Sequence, residues 1–316
     1  MRILIIGSGG YIGSACARAM RAAGHEVCGL ARSPEAQARL RSDGYDALTG
    51  DLSNIAQLAG DVLAFDAVLY TPRVTFAEEG LSLGPLVKAL EGTGKSFIYA
   101  SGTGVMNIES PRGEWRHETF GEGDTFATVP WIQQRVDVEN TFLSAATRGV
   151  RAMLLRPPHV WGHGNSTLVR GLVEGYRKTG EVNFIGYGLH QYASVHVDDL
   201  GEVSRLVLER GDAGGTYNAV GGEVNLITLA RATAKLLGCE ARSISLDEAK
   251  KIWGEWMAPN LYAMACPARG PKARALGWAP QHHDIEVDIR EGGYESIQLG
   301  ESFDAATQRR LGVVKS

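Results

Sequence analysis

Glycines at positions 7, 10 and 13 separate an apolar run, Ile3 to Ile6, from the Ala-rich stretch Ser14 to Ala23. That spacing suits the binding of a pyrophosphate. One glycine supplies a turn that needs positive φ, one lets the backbone approach a phosphate, and one lets a helix pack closely on a strand. Gly7, Ser8, Gly10, Tyr11, Ile12 and Gly13 are therefore the expected dinucleotide cradle. Free N–H groups and the positive end of a helix over Ser14 to Ala23 would face the phosphates. A second chemical signal lies about twenty residues on, after a strand from Glu26 to Leu30. An NAD-specific chain places an acid there, but this one reads Ala31-Arg32-Ser33. A guanidinium with no carboxylate beside it suits a 2′-phosphate, so Arg32 and Ser33 favour NADP(H) over NAD(H). Asp51 and Leu52, following a short strand Asp46 to Leu48, are placed to meet the adenine amino group.

These residues need a sheet to hold them. Strand-like segments at Ala67 to Tyr70, Ser96 to Ala100 and Ala152 to Leu155 alternate with helical stretches around Gly84 to Glu91 and Trp131 to Thr147. Such alternation predicts an α/β protein, a Rossmann-type doubly wound parallel sheet with ligands beyond the carboxyl ends of its strands. Tyr70-Thr71-Pro72, Ser101-Gly102-Thr103 and Pro157-Pro158-His159 each follow such a strand. We expect a dinucleotide-binding domain over 1–157 and a smaller C-terminal lobe over 158–316, mainly substrate-binding, with 214–220 free to return to the sheet. Thr216 to Val220 reads as a strand, Leu226 to Leu237 as an amphipathic helix and Lys272 to Leu276 as a helix stopped by Gly277. Gln308 to Ser316 is expected to fray.

The chain has 316 residues and a net charge of −4, with acids and bases interspersed. With no basic run, a nucleic-acid partner is not expected. No apolar stretch approaches the roughly eighteen residues that span a bilayer, so no membrane association is expected and a cytoplasmic location is. Cys16, Cys28, Cys239 and Cys266 form no Cys-x-x-Cys pair, which argues against a disulfide framework or zinc site. His282-His283 lacks a third spaced ligand, and no metal is expected.

As a set, Gly7 to Gly13, Gly50-Asp51-Leu52, Phe97 to Ser101, Leu155-Arg156-Pro157, Val160-Trp161-Gly162 and Val195 to Leu200 resemble the extended short-chain dehydrogenase/reductase superfamily, of the NAD-dependent epimerase/dehydratase kind. The resemblance runs from residue 1 to about residue 240. It implies a Rossmann domain that binds NAD(P), a substrate lobe and, by default, a homodimer. The family's Tyr-x-x-x-Lys pair is missing: Trp131 stands at the tyrosine and Arg135 at the lysine. An indole has no acidic proton, and a guanidinium cannot act as a base, although Arg135 keeps the reach to touch the nicotinamide ribose. Aligning Val105 with the family's valine puts Gly102 at the catalytic hydroxyl slot, flanked by Ser101 and Thr103.

Substitute proton donors on strand-end loops are Thr103, His159, His163 and Tyr192, with His159 the foremost titratable group. Pro158 and Tyr70-Thr71-Pro72 are expected against the cofactor. Trp131, Trp161 and Tyr192 are expected against a small-molecule substrate, with Trp253 and Trp256 further candidates. Three functions fit: an NADPH-dependent reductase of an electrophilic carbonyl, imine or enone, a nucleotide-sugar epimerase/dehydratase, or a non-catalytic NADP(H)-binding regulator.

Overall fold

The computed structural model describes residues 1–294, so the stretch expected to fray, Gln308 to Ser316, lies outside the described residues. Strands and helices alternate from the start: β1 (Arg2–Ile6), α1 (Tyr11–Ala22), β2 (Glu26–Ala31), α2 (Pro34–Ser42), β3 (Asp46–Thr49), α3 (Ile55–Asp61), β4 (Ala67–Tyr70), α4 (Phe76–Leu90) and β5 (Ser96–Ala100). A two-residue strand, β6 (Ile108–Glu109), and α5 (Gln133–Leu143) precede β7 (Arg151–Arg156). The chain continues through β8 (His159–Trp161), α6 (Thr167–Thr179), β9 (Val182–Ile185), β10 (Gln191–His196), α7 (Val197–Arg210) and β11 (Thr216–Asn218). It then forms β12 (Gly222–Asn225), α8 (Leu226–Leu237), β13 (Ala241–Ile244), α9 (Leu246–Met257), β14 (Met264–Ala265), α10 (Pro271–Ala275) and α11 (Ile285–Glu291).

Seven parallel strands in the order β11-β7-β5-β4-β1-β2-β3 make the central sheet. Because helices cover both faces, the inner strands read as unbroken apolar runs rather than alternating ones. Ile3 and Ile5 point to a layer containing Cys16, Met20, Leu200, Val203 and Val207 from α1 and α7. Leu4 and Phe97 point the other way, to Leu58, Leu83, Leu86 and Phe142 from α3, α4 and α5. The strand order reverses at β1, which has β2 on one side and β4 on the other, so a crevice opens beyond their carboxyl ends. No helix among the described residues is long and apolar enough to cross a membrane.

Several helix starts differ from the sequence expectation: α4 begins at Phe76, eight residues before Gly84, behind a Thr75 cap, and α5 begins at Gln133 rather than Trp131. Helix α1 begins at Tyr11 rather than Ser14, because Tyr11 to Gly13 already take helical backbone behind the glycine turn. Helix α10 begins at Pro271, whose fixed φ suits a first helical position. Between 157 and 215, where the sequence shows no clear alternation, lie α6, α7 and three short strands. There β8 pairs parallel and β12 antiparallel with β10, while β9 pairs with β13. Leu168, Leu172, Trp253 and Tyr262 belong to a third core beneath them. Helix α9 breaks at Gly254, whose φ of 88° favours glycine, and residues 258–262 follow as a wide turn.

Candidate active site

The glycine loop is tight. Gly7 has φ 91°, Gly10 N–H donates to the Gly7 carbonyl at 2.9 Å, and a Cβ on Gly13 would stand 2.1 Å from that same oxygen. Helix α1 receives no side-chain cap at Gly10, as is also true of α3, α5 and α10, whereas Ser33, Thr75, Ser166, His196, Asn225 and Ser245 cap α2, α4, α6, α7, α8 and α9. The first-turn N–H groups of α1 are thus left for an anion, which is the condition a dinucleotide pyrophosphate requires.

A cleft of about 1200 Å³ starts at this helix end and runs to α6 and the turn after α9. Gly7, Gly10, Tyr11, Ile12, Arg32, Asp51, Leu52, Thr71, Pro72, Ser101 and Pro158 line it. Thr103, Trp131, Arg135, His159 and Tyr192 line it too, while four cofactor candidates lie behind its wall: Gly13 is packed on the Gly7 carbonyl, the buried Ser8 hydroxyl faces Gly29, the Ser33 hydroxyl is taken by Ala36 N–H at 3.2 Å, and Tyr70 shares a 2.5 Å hydrogen bond with Ser82. Arg32 extends into solvent, its side chain 82% exposed, with its Nε 3.8 Å from the Asp51 carboxylate. Asp51 accepts from Ser53 N–H at 2.7 Å, which holds its carboxyl below the usual range.

At the far end the replaced catalytic pair takes a different form. Trp131 stands edge-on to Trp256 with ring centres 5.2 Å apart, and its buried indole N–H has no partner. Arg135 donates from Nε to Glu79 Oε2 at 3.1 Å and from Nη2 to Oε1, while Tyr99 donates to the same carboxylate at 2.8 Å. Burial works against the Arg135 charge, but the Glu79 carboxylate outweighs it and the Arg135 pKa rises. The lysine position therefore holds a buried ion pair between α4 and α5, with Arg135 also 4.8 Å over the Phe76 ring.

The candidate proton donors divide by their surroundings. Thr103 is buried with Oγ1 3.1 Å from the Cys266 sulfur, and Ser101 Oγ has no partner. His159 Nε2 lies 2.9 Å from Ser166 Oγ, and burial pushes its pKa down to about 4, so its imidazole is neutral at pH 7. Tyr192 donates to the Leu261 carbonyl at 3.0 Å, and burial raises its pKa. Neither group carries a proton poised for release near neutrality, contrary to the role expected of His159. Trp161 is buried behind the wall against His196, and His163 lies outside the main cleft, exposed, with Nε2 2.7 Å from Asp198.

Sequence reading missed Arg73, Asn107, Arg170 and Asn260, all of which line the cleft beside the candidate Trp256. Only Arg73, directly after Thr71-Pro72 at a strand end, stood where a signal existed. His282, which has no third spaced ligand along the sequence, gains ligand-type neighbours in space: it stacks on His196 with centres 3.8 Å apart, near Asp199, and His196 also nears His163 and Asp198. Both carboxylates are engaged already, Asp198 by Arg18 and Asp199 by the N–H groups of Gln281 and His282.

The family model described as the NAD dependent epimerase/dehydratase family matches residues 3–220. An uncharacterized protein of Schizosaccharomyces pombe is 31% identical over 304 residues, covering 93% of this chain and 100% of that one. A 2-alkyl-3-oxoalkanoate reductase of Stenotrophomonas maltophilia is 25% identical over 222 residues, 66% of each chain. Among solved structures, dTDP-glucose 4,6-dehydratase of Bacillus anthracis in complex with NAD shares the fold, with a TM-score of 0.69, 16% identity and coverage of 92% and 95%.

Proposed function

We propose that this chain, which belongs to the NAD dependent epimerase/dehydratase family, is an NADP(H)-dependent reductase of a polar metabolite with an electrophilic C=O, C=N or conjugated C=C bond. The observation that carries this reading is one continuous cleft, which joins the uncapped end of α1 and Arg32 to the Ser101 and Thr103 hydroxyls and the Trp131–Trp256 pair. Bound reduced nicotinamide supplies a hydride. In this reading, the first-turn N–H groups of α1 hold the diphosphate and Arg32 meets the 2′-phosphate. Ser101 and Thr103 offer hydrogen bonds to charge developing on the substrate, and the two tryptophans exclude water and orient the acceptor.

Trp131 stands where the family's general acid would be, so the final proton comes from solvent. Absence of a general acid costs about 10²- to 10⁴-fold, a loss smallest for acceptors that are already electrophilic. An epimerase or dehydratase cycle must first oxidise a hydroxyl, which needs a base at the same place, and is less well supported. The reductase named among the relatives favours carbonyl reduction. The test is a panel of ketones, imines and enones with NADPH, followed by loss of nicotinamide absorbance. Turnover of one acceptor class supports the reading, and binding without turnover across the panel refutes it. That second outcome would favour a cofactor-binding regulator, to which the sequestered Arg135 also points.

A further inference from the structure

Arginines in this protein are mostly spoken for. Arg18 pairs with Asp198, Arg135 with Glu79, Arg156 with Glu139, Arg205 with Glu202 and Arg269 with Asp124. Two that line the cleft are not. Arg73 follows Pro72 at the carboxyl end of β4, and Arg170 lies in the first turns of α6. Neither guanidinium forms an ion pair with a described carboxylate, and Arg170 Nε is buried with no hydrogen-bond partner.

Described acids on the same helix and along the cleft wall are committed elsewhere. Glu174, one turn along from Arg170, takes Lys178 at 2.9 Å; Glu78 at the cleft wall accepts from Thr75 N–H at 2.8 Å; Asp51 lies beside Arg32. Enclosure, and the Arg170 charge next to it, hold the Arg73 pKa below the ordinary guanidinium value. Arg73 is exposed, so water screens much of its repulsion with Arg170, and an anion placed between the two would gain a charge-assisted contact from each. Guanidinium forks match the planar oxygens of carboxylate and phosphate, and such charge-assisted contacts are roughly twice as strong as neutral ones.

We infer that Arg73 and Arg170 form an oxyanion subsite between the end of β4 and α6, which holds a carboxylate or phosphate group of the substrate while its electrophilic carbon lies toward Ser101 and Thr103. The substrate is then an anion, anchored at one end and reduced at the other. The substrate role of the subsite rests on the reductase reading, whereas its affinity for an oxyanion does not. That difference keeps the two separately testable.

The experiment is calorimetric titration of the full chain with inorganic phosphate and with succinate, with and without saturating NADPH, for wild type, Arg170→Met and Arg170→Lys. We expect at least one probe to bind wild type, Arg170→Met to weaken it roughly 10- to 100-fold, and Arg170→Lys to weaken it less. NADPH affinity should stay within about threefold, and the ligand-free melting temperature of Arg170→Met should not fall, because no described carboxylate loses an ion-pair partner and a buried unpartnered Nε is removed. Phosphate or succinate alone as the binding probe names the group the subsite takes. The inference is overturned if neither probe binds, if Arg170→Met leaves probe binding unchanged, or if it weakens NADPH by the same factor, which would put the pair on the cofactor's pyrophosphate. Wild type that binds no NADPH yet binds a probe through Arg170 overturns the reductase reading and leaves the oxyanion subsite standing.

Discussion

Replacing Glu79 by glutamine should destabilise the fold by about 3–5 kcal/mol, the cost of leaving a buried charge unpaired. The geometry supports that range, since the Arg135 and Glu79 side chains are only 8% and 2% exposed and solvent cannot rescue the guanidinium. With an unfolding entropy of about 2.1 cal/mol/K per residue, a chain of 316 residues loses about 1.5 °C per kcal/mol. The melting temperature should therefore drop by roughly 5–8 °C in scanning calorimetry. Removing the whole network, with Glu79→Leu, Arg135→Met and Tyr99→Phe together, leaves no orphaned polar group and should recover to within about 3 °C of wild type. That triple variant should also bind NADPH with near wild-type affinity if Arg135 is held by Glu79 rather than spent on the cofactor. A Glu79→Gln protein that melts within 1 °C of wild type would refute the reasoning, as would a triple variant no more stable than the single one.

Three further outcomes are expected. Arg32→Ala should weaken NADPH roughly tenfold and NADH hardly at all, as read by titration of both, because its exposed guanidinium contributes one charge-assisted contact to the 2′-phosphate. Gly13→Ala would drive a Cβ to 2.1 Å from the Gly7 carbonyl and 2.7 Å from its carbon, so the loop must move; at least a tenfold loss of NADPH affinity and a lower melting temperature should follow in calorimetry. Stability should fall as pH drops from about 6.5 toward 4, since burial holds His190 and His159 neutral with pKa values of about 4. Between those limits the unfolded chain binds more protons, so each histidine adds up to about 1.4 kcal/mol of stability per pH unit gained, complete above 6.5. Urea midpoints at pH 5 and pH 7 measure it, and equal midpoints would contradict the burial argument.

The sheet was legible because its strands, buried on both faces, are short apolar runs such as Ile3 to Ile6 and Phe97 to Tyr99. The glycine turn was legible because its spacing is a backbone requirement and owes nothing to distant residues. The segment after β7 was not: β8, β9 and β10 are only three to six residues long, and their neighbours come from far along the chain. Residue types named Arg135, but not Glu79, fifty-six positions away, which decides whether Arg135 faces the cofactor or the core. His159 looked like an acid from its reference pKa, a value that enclosure overrides. Arg170 carried no signal at all, because an arginine on a helix surface is ordinary until its Nε is seen to be buried without a partner and Glu174, one turn along, to be taken by Lys178.

The cofactor claim is tested most directly by calorimetric titration of the wild-type protein with NADPH and NADH side by side. The account predicts tight NADPH binding and NADH binding at least tenfold weaker, from the uncapped α1 terminus acting with Arg32. Equal or tighter NADH binding would contradict the role given to Arg32, and no binding of either would contradict the reading of the cleft itself.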